Sequence, residues 1–201
     1  MNELYTEIAV EGHITPVWTD EHILFDYVKQ PIKQSEIEVW RSKGYYHESF
    51  SGGMYDSRNP MPDWVDYVAN KIGLSNCGYV FYKMNCLDIM PDHIDHFETY
   101  ERIFGVPRSR TYRALVLLED WKSGHYLEFN GKAMTNWKAG DYALWSADIP
   151  HAASNIGTEP RYTLQLTGEL DELTRFNHLK KAYQYTFDDD REPGDGGHSY
   201  R

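Results

Sequence analysis

Between Gly78 and Gly168 the chain is cut into short aromatic and β-branched runs, and that rhythm constrains its fold more than any other feature. The runs predict strands over 78–90, 93–99, 111–119, 125–130, 133–137, 142–146, 151–155 and 161–167. Turn signals separate them at Pro91-Asp92, Ser123-Gly124, Asn130-Gly131, Gly140-Asp141 and Asn155-Ile156-Gly157. About eight short strands spaced roughly 8–12 residues apart predict a mainly β sandwich or barrel, not a parallel α/β sheet.

The flanks read differently. In the first third, Ile23–Val28 predicts a strand. Ser35 with Glu38 forms a capping-box pattern, so a helix is expected from Glu36 to about Lys43, stopped by Gly44. A second helix is expected from Pro62 to Ile72, ended by Gly73, with Trp64, Val65, Val68 and Ile72 on one packing face. After Gly168, Leu170, Leu173, Phe176 and Leu179 recur at helical spacing and predict a helix lying on the outside of the sheet. The acidic, glycine-containing stretch 188–201 reads as a solvated tail. A chain of 201 residues suits one domain, here 1–187, with its β core over 78–168.

Charge narrows the partners. Asp plus Glu number 31 against 20 Lys plus Arg, a net charge of −11, which argues against a general grip on nucleic acid or an anionic membrane. The longest apolar run, Ala114–Leu118, is far short of the roughly 20 residues of a membrane span. Met1–Val10 lacks a basic start and a long apolar stretch, so a cytoplasmic protein is expected. Cys77 and Cys86 read as two buried thiols rather than a disulfide framework.

The chemistry concentrates in three segments. In Pro91-Asp92-His93-Ile94-Asp95, side chains two apart on a strand share a face, so His93 and Asp95 can hold one ion together. His151 opens a later strand. Two imidazoles and one carboxylate make a facial triad, which leaves adjacent positions open on an octahedral ion. On the last strand Arg161, Thr163, Gln165 and Thr167 share one face, with Tyr162, Leu164 and Leu166 on the other. The leucine face is expected to pack under the C-terminal helix. A polar row turned inward costs stability unless a ligand satisfies it. A dicarboxylate would do so, gripped by the Arg161 fork and the Thr163 hydroxyl.

His93-x-Asp95, the distal His151 and Arg161-x-Thr163 together resemble the motif of the Fe(II)/2-oxoglutarate-dependent dioxygenase superfamily. The resemblance covers 78–168. Leu87–His93 is similar to the strand-turn that presents the first ligand in the aspartyl/asparaginyl and proline hydroxylase-like branch, and Lys138-Ala139-Gly140-Asp141 to the turn before the strand leading to the distal histidine. It implies a double-stranded β-helix (jelly roll, cupin-like) core with flanking N-terminal and C-terminal helices. It also implies Fe(II) on His93, Asp95 and His151 as the catalytic set. 2-Oxoglutarate would be the cosubstrate, held by Arg161 and Thr163, and dioxygen the oxidant. The implied reaction hydroxylates a small molecule, amino acid or peptidyl residue and releases succinate and CO2. Asp95 disfavours the halogenating branch, which has Gly or Ala there.

Alternatives stay open. His96 with Glu98 is a competing pair on the opposite face of the same predicted strand. A metal-dependent cupin with other chemistry would recruit His125, His96 or Glu98. A non-catalytic β-sandwich module would use its tyrosines on a ligand. Arg108, Arg110 and Arg113 form a basic run that reads as a solvated rim or as a capture site for an anionic group. Tyr82, Tyr112, Tyr126 and Trp145 are candidate cavity liners, and Tyr45–Asn59, with Gly52-Gly53, is a connecting loop or a lid. His13, His22, His47, His125, His178 and His198 are expected to be merely hydrogen-bonded.

Overall fold

Turn chemistry shows first in the Asn130-Gly131 pair, where both residues take positive φ (49° and 76°) and close a two-residue hairpin between β7 (His125–Phe129) and β8 (Lys132–Met134). These features come from a computed structural model that describes residues 9–46, 50–171, 174, 175 and 177. The remaining elements are β1 (Ala9–His13), β2 (Val28–Lys29), α1 (Gln34–Ser42), β3 (Gly53–Asp56), α2 (Trp64–Ile72) and β4 (Leu74–Met84). They continue with β5 (Ile89–His93), α3 (Glu98–Phe104), β6 (Thr111–Leu117), β9 (Asp141–Ser146), β10 (His151–Asn155) and β11 (Arg161–Leu170).

The strands form two antiparallel sheets. A seven-stranded sheet runs β1-β9-β6-β11-β4-β3-β2, and a four-stranded sheet runs β5-β10-β7-β8. From β4 onward the chain passes from the large sheet to the small one and back, which is the winding of a double-stranded β-helix. Alternation along β11 explains the layering. Tyr162, Leu164 and Leu166 join Val65, Val68, Ala69 and Ile72 of α2 in one core on the outer face of the large sheet. A second core, built from Leu115, Leu117, Ala143 and Trp145 of one sheet and Leu127 and Met134 of the other, fills the space between the sheets. The leucine face of the last strand is thus covered by α2. The expected C-terminal helix lies mostly outside the described residues, where only Thr174, Arg175 and Asn177 are seen, all helical, and so does the expected tail.

Several expectations need correction. Ile23–Val28 is not a strand, because a 3-10 turn at Asp20–Leu24 tucks His22 into the core. The Ser35–Glu38 capping box is not used: α1 begins at Gln34 behind Lys33, with no side-chain cap. Predicted strand 78–90 breaks at Asn85–Asp88, where the Asp88 carboxylate accepts the Asn85 N–H and Leu87 takes φ 70°. Pro91-Asp92 lies inside β5 and is not a break. Predicted strand 93–99 ends at His93 and gives way to α3. Gly52 and Gly53 pack against the large sheet. Gly53 opens β3, which pairs with β4, and a Cβ on Gly52 would lie 2.1 Å from the Lys83 carbonyl oxygen. Cys77 is partly buried, and burial pushes its thiol up to about 12, but Cys86 is exposed, and both are free. No helix among the described residues is long and apolar enough to cross a membrane.

Candidate metal centre

β5 and β10 are neighbours in the small sheet, and their register sets His93 directly opposite His151. The two ring centroids are 4.3 Å apart. Asp95 follows two residues later, in the irregular stretch between β5 and α3, and its carboxylate turns back to the pair. One ligand atom from each of His93, Asp95 and His151 lies within 4.8 Å of the other two.

Each imidazole is oriented by its own backbone. The Pro91 carbonyl lies 2.8 Å from His93 Nδ1, and the Ile149 carbonyl 3.0 Å from His151 Nδ1. A carbonyl can only accept, so Nδ1 of each ring carries a proton, and in the neutral tautomer this leaves the Nε2 lone pair for a ligand role. Burial lowers His151 to about 4, against the opposing pull of the Asp95 carboxylate, so its ring is neutral at pH 7. Burial alone would raise the Asp95 carboxyl, yet Arg113, the two histidines and the Trp145 indole hold it below the ordinary value. Two imidazole nitrogens and one carboxylate oxygen could hold a divalent ion. Aromatic rings enclose them: Trp40 of α1 stands 6.2 Å from His93, and Trp145 stands 4.9 Å from His151. Phe50, 5.2 Å from Trp40, extends this wall, so the N-terminal third roofs the site.

The competing pair is not part of this cluster. His96 and Glu98 are exposed, and Glu98 pairs with Lys33 at 2.6 Å. His125 is buried on β7 with Nε2 3.0 Å from the Glu159 carbonyl, and it joins no metal-holding group among the described residues.

Arg161 lies deeper between the sheets and is 4% exposed. Its guanidinium donates to the Tyr126 carbonyl (2.7 Å) and the Ser154 carbonyl (3.4 Å) of the small sheet and to Met84 Sδ (2.6 Å). It pairs with neither Glu159 nor Glu169, which bind Lys122 and Arg110 instead. Burial lowers Arg161 to about 10, so it is still charged at pH 7. Its Nε and the Thr163 hydroxyl are buried without a partner among the described residues. Tyr82, opposite Thr163 on β4, accepts the Gly52 N–H at 2.6 Å. Ser154 is three residues from His151 along β10, so the cation sits about 10 Å from the imidazoles along the strand.

Two of the four proposed cavity liners, Tyr82 and Trp145, face this space. Tyr112 packs in the outer core, and Tyr126 bonds Glu128 within the small sheet. The basic run divides: Arg110 is exposed, as a solvated rim would be, Arg108 is half-buried, and Arg113 turns inward, each beside an acid. Arg108 binds Asp148 at 2.7 Å, Arg110 binds Glu169 at 2.7 Å and Arg113 binds Asp95 at 3.2 Å. Sequence reasoning missed Arg113 and Trp145 as partners of Asp95, because β6 and β9 meet the Asp95 loop only in three dimensions.

No protein-family profile and no curated protein matches this chain. Among solved structures it is similar to a Pseudomonas putida prolyl-4-hydroxylase, with 17% identity and a TM-score of 0.52 over 84% of this chain and 96% of that one. A Bacteroides fragilis cupin matches at 10% identity and TM-score 0.37, over 74% of this chain and 88% of that one. A predicted oxalate decarboxylase from Thermotoga maritima matches at 14% identity and TM-score 0.37, over 59% of this chain and 80% of that one. At these identities the likeness shows the fold alone.

Proposed function

We infer that the chain is an Fe(II)/2-oxoglutarate-dependent dioxygenase that hydroxylates a small molecule, an amino acid or a peptidyl residue, releasing succinate and CO2. The observation that carries this reading is the buried, charged Arg161, which has no carboxylate partner among the described residues, beside a Thr163 hydroxyl likewise unpartnered among them, in the same intersheet space as His93, Asp95 and His151. A buried cation is costly unless an anion meets it. A diacid whose far carboxylate reaches Arg161 and whose near end reaches the triad satisfies both ends at once. The donor set suits Fe(II), because two imidazoles and one carboxylate leave adjacent positions free.

In this reading His93, Asp95 and His151 would hold the iron. Arg161 and Thr163 hold the distal carboxylate of 2-oxoglutarate. Bound iron supplies the oxidising chemistry with dioxygen. The chain's own residues orient and exclude. The Pro91 and Ile149 carbonyls fix the imidazole tautomers, and Trp40, Phe50 and Trp145 keep bulk water away. The prolyl hydroxylase likeness makes prolyl peptides one substrate class to screen. The cupin alternative with a fourth ligand is not favoured, since His125 is turned to the Glu159 carbonyl.

Anaerobic titration of the protein with Fe(II) and 2-oxoglutarate tests the reading. A metal-to-ligand charge-transfer band is expected in the wild type and is weakened in Arg161→Ala. Folded, iron-loaded protein without the band overturns it. Succinate release screened over amino acids and prolyl, aspartyl and asparaginyl peptides then reports the substrate class.

A further inference from the structure

Asp95 differs from the two histidines in how it is held. His93 and His151 sit on paired strands, whereas Asp95 stands in an irregular stretch whose backbone has no ladder to orient it. Its carboxylate is instead gripped from the other sheet. Arg113 of β6 and Trp145 of β9 are direct cross-strand partners, so their side chains rise from the same face. Arg113 Nη1 lies 3.2 Å from Asp95 Oδ1, and Trp145 Nε1 donates to Oδ2 at 3.2 Å. His151 Nε2 also faces Oδ2, at 3.7 Å.

Arg113 is itself fixed. Phe97, in the left-handed region at φ 55°, lays its ring 5.1 Å from the guanidinium. A non-glycine residue holds that conformation only when its surroundings over-determine it. Gln165 Oε1 accepts from Arg113 Nη1 at a long 3.4 Å.

We propose that Arg113 is a positioning residue for Asp95, withholding Oδ1 from the metal so that only Oδ2 faces the two imidazoles. The inference rests on the metal reading above. Its consequence is a matter of counting. A carboxylate that engages a six-coordinate ion through one oxygen leaves three positions beside two imidazoles, and one that engages through two leaves two. A chelating 2-oxo acid would take both of those and leave none for dioxygen. An Oδ2 that accepts one N–H from Trp145 still has a lone pair to offer. Arg113 therefore acts through Asp95, and its Nη1 lies between Asp95 Oδ1 and Gln165 Oε1.

The test uses the full chain, Co(II) as the probe ion and Arg113→Met and Arg113→Lys as variants. In the wild type, infrared difference spectra on adding Co(II) should show a carboxylate stretch splitting wider than that of a free carboxylate, the signature of one-oxygen ligation. In Arg113→Met, Co(II) affinity should change less than about tenfold, since lost orientation is offset by loss of a nearby positive charge. The Co(II) visible spectrum should change, and 2-oxoglutarate affinity for the loaded protein should fall about ten- to a hundredfold. Arg113→Lys, which keeps a cation beside Oδ1, should recover most of it. A wild-type splitting narrower than the free ion overturns the inference whether or not the variants fold. So does a folded Arg113→Met with an unchanged spectrum and unchanged 2-oxoglutarate affinity. A wild type that binds no Co(II) overturns the metal reading itself, and the inference falls with it.

Discussion

Arg161 sets the residue scale, because one side chain carries both the functional reading and a stability cost. Its guanidinium is buried among two carbonyls and a thioether, with Nε unpartnered. A neutral side chain of similar length removes the uncompensated charge while keeping the packing. Arg161→Met is therefore expected to melt about 2–6 °C above the wild type without 2-oxoglutarate, and to lose the stabilisation that 2-oxoglutarate gives the metal-loaded wild type. Thermal melts with and without the diacid check both halves. The inward polar row on β11 that carries Arg161 is legible in sequence. That no glutamate reaches it is not, because Glu159 and Glu169 are close in sequence and are drawn off by Lys122 and Arg110.

Elements come next, and here one residue ties two of them. Arg108 reaches from the start of the β6 arm to both ligand-bearing segments. Its Nε donates to the Asp95 carbonyl at 3.2 Å, and Nη2 donates to the Ala147 carbonyl at 3.2 Å and pairs with Asp148 at 2.7 Å. The loop after β5 and the turn before β10 are thus held together by one guanidinium. Arg108→Ala should lower Co(II) affinity about tenfold with far-UV circular dichroism unchanged, measured by titration against a metal-sensitive dye. Lysine is expected to restore little, since one ammonium cannot serve both segments in the forked geometry. The sequence showed the basic run, and alternation showed His93 with Asp95 on one face. The end of β5 was hidden, because only four irregular residues separate it from α3 and the apolar texture does not break there.

At the scale of the whole molecule, buried histidines couple the fold to pH. Burial lowers His22, His125 and His151, the last to about 4 from an ordinary 6.5. Each takes up a proton more readily in the unfolded chain than in the folded one. Stability is therefore full above about pH 6.5 and falls as pH drops. For His151 the loss continues until the folded chain also protonates near 4, and it amounts to a few kcal/mol. Asp95, held below its ordinary value, adds loss only at lower pH still. Melting temperature should fall steeply from pH 7 to 5, and less so in His22→Leu, which removes a fully buried imidazole with an unpartnered Nε2. A flat profile in that window would contradict the burial of these rings.

What the sequence by itself determined is local in kind. Turn pairs such as Asn130-Gly131 dictate where strands must stop, alternation dictates which face a side chain takes, and the His93, Asp95, His151, Arg161 and Thr163 pattern dictates which donors exist. Tertiary structure alone decided which donors meet. His93 faces His151 because β5 pairs with β10, and His96 with Glu98 is left in solvent because the chain leaves the sheet after His93. Arg113 and Trp145 grip Asp95 because two strands of the opposite sheet set them side by side. Those meetings depend on pairing between segments far apart in the chain, and the free energy that selects them comes from burying two cores at once rather than from any short stretch of residues.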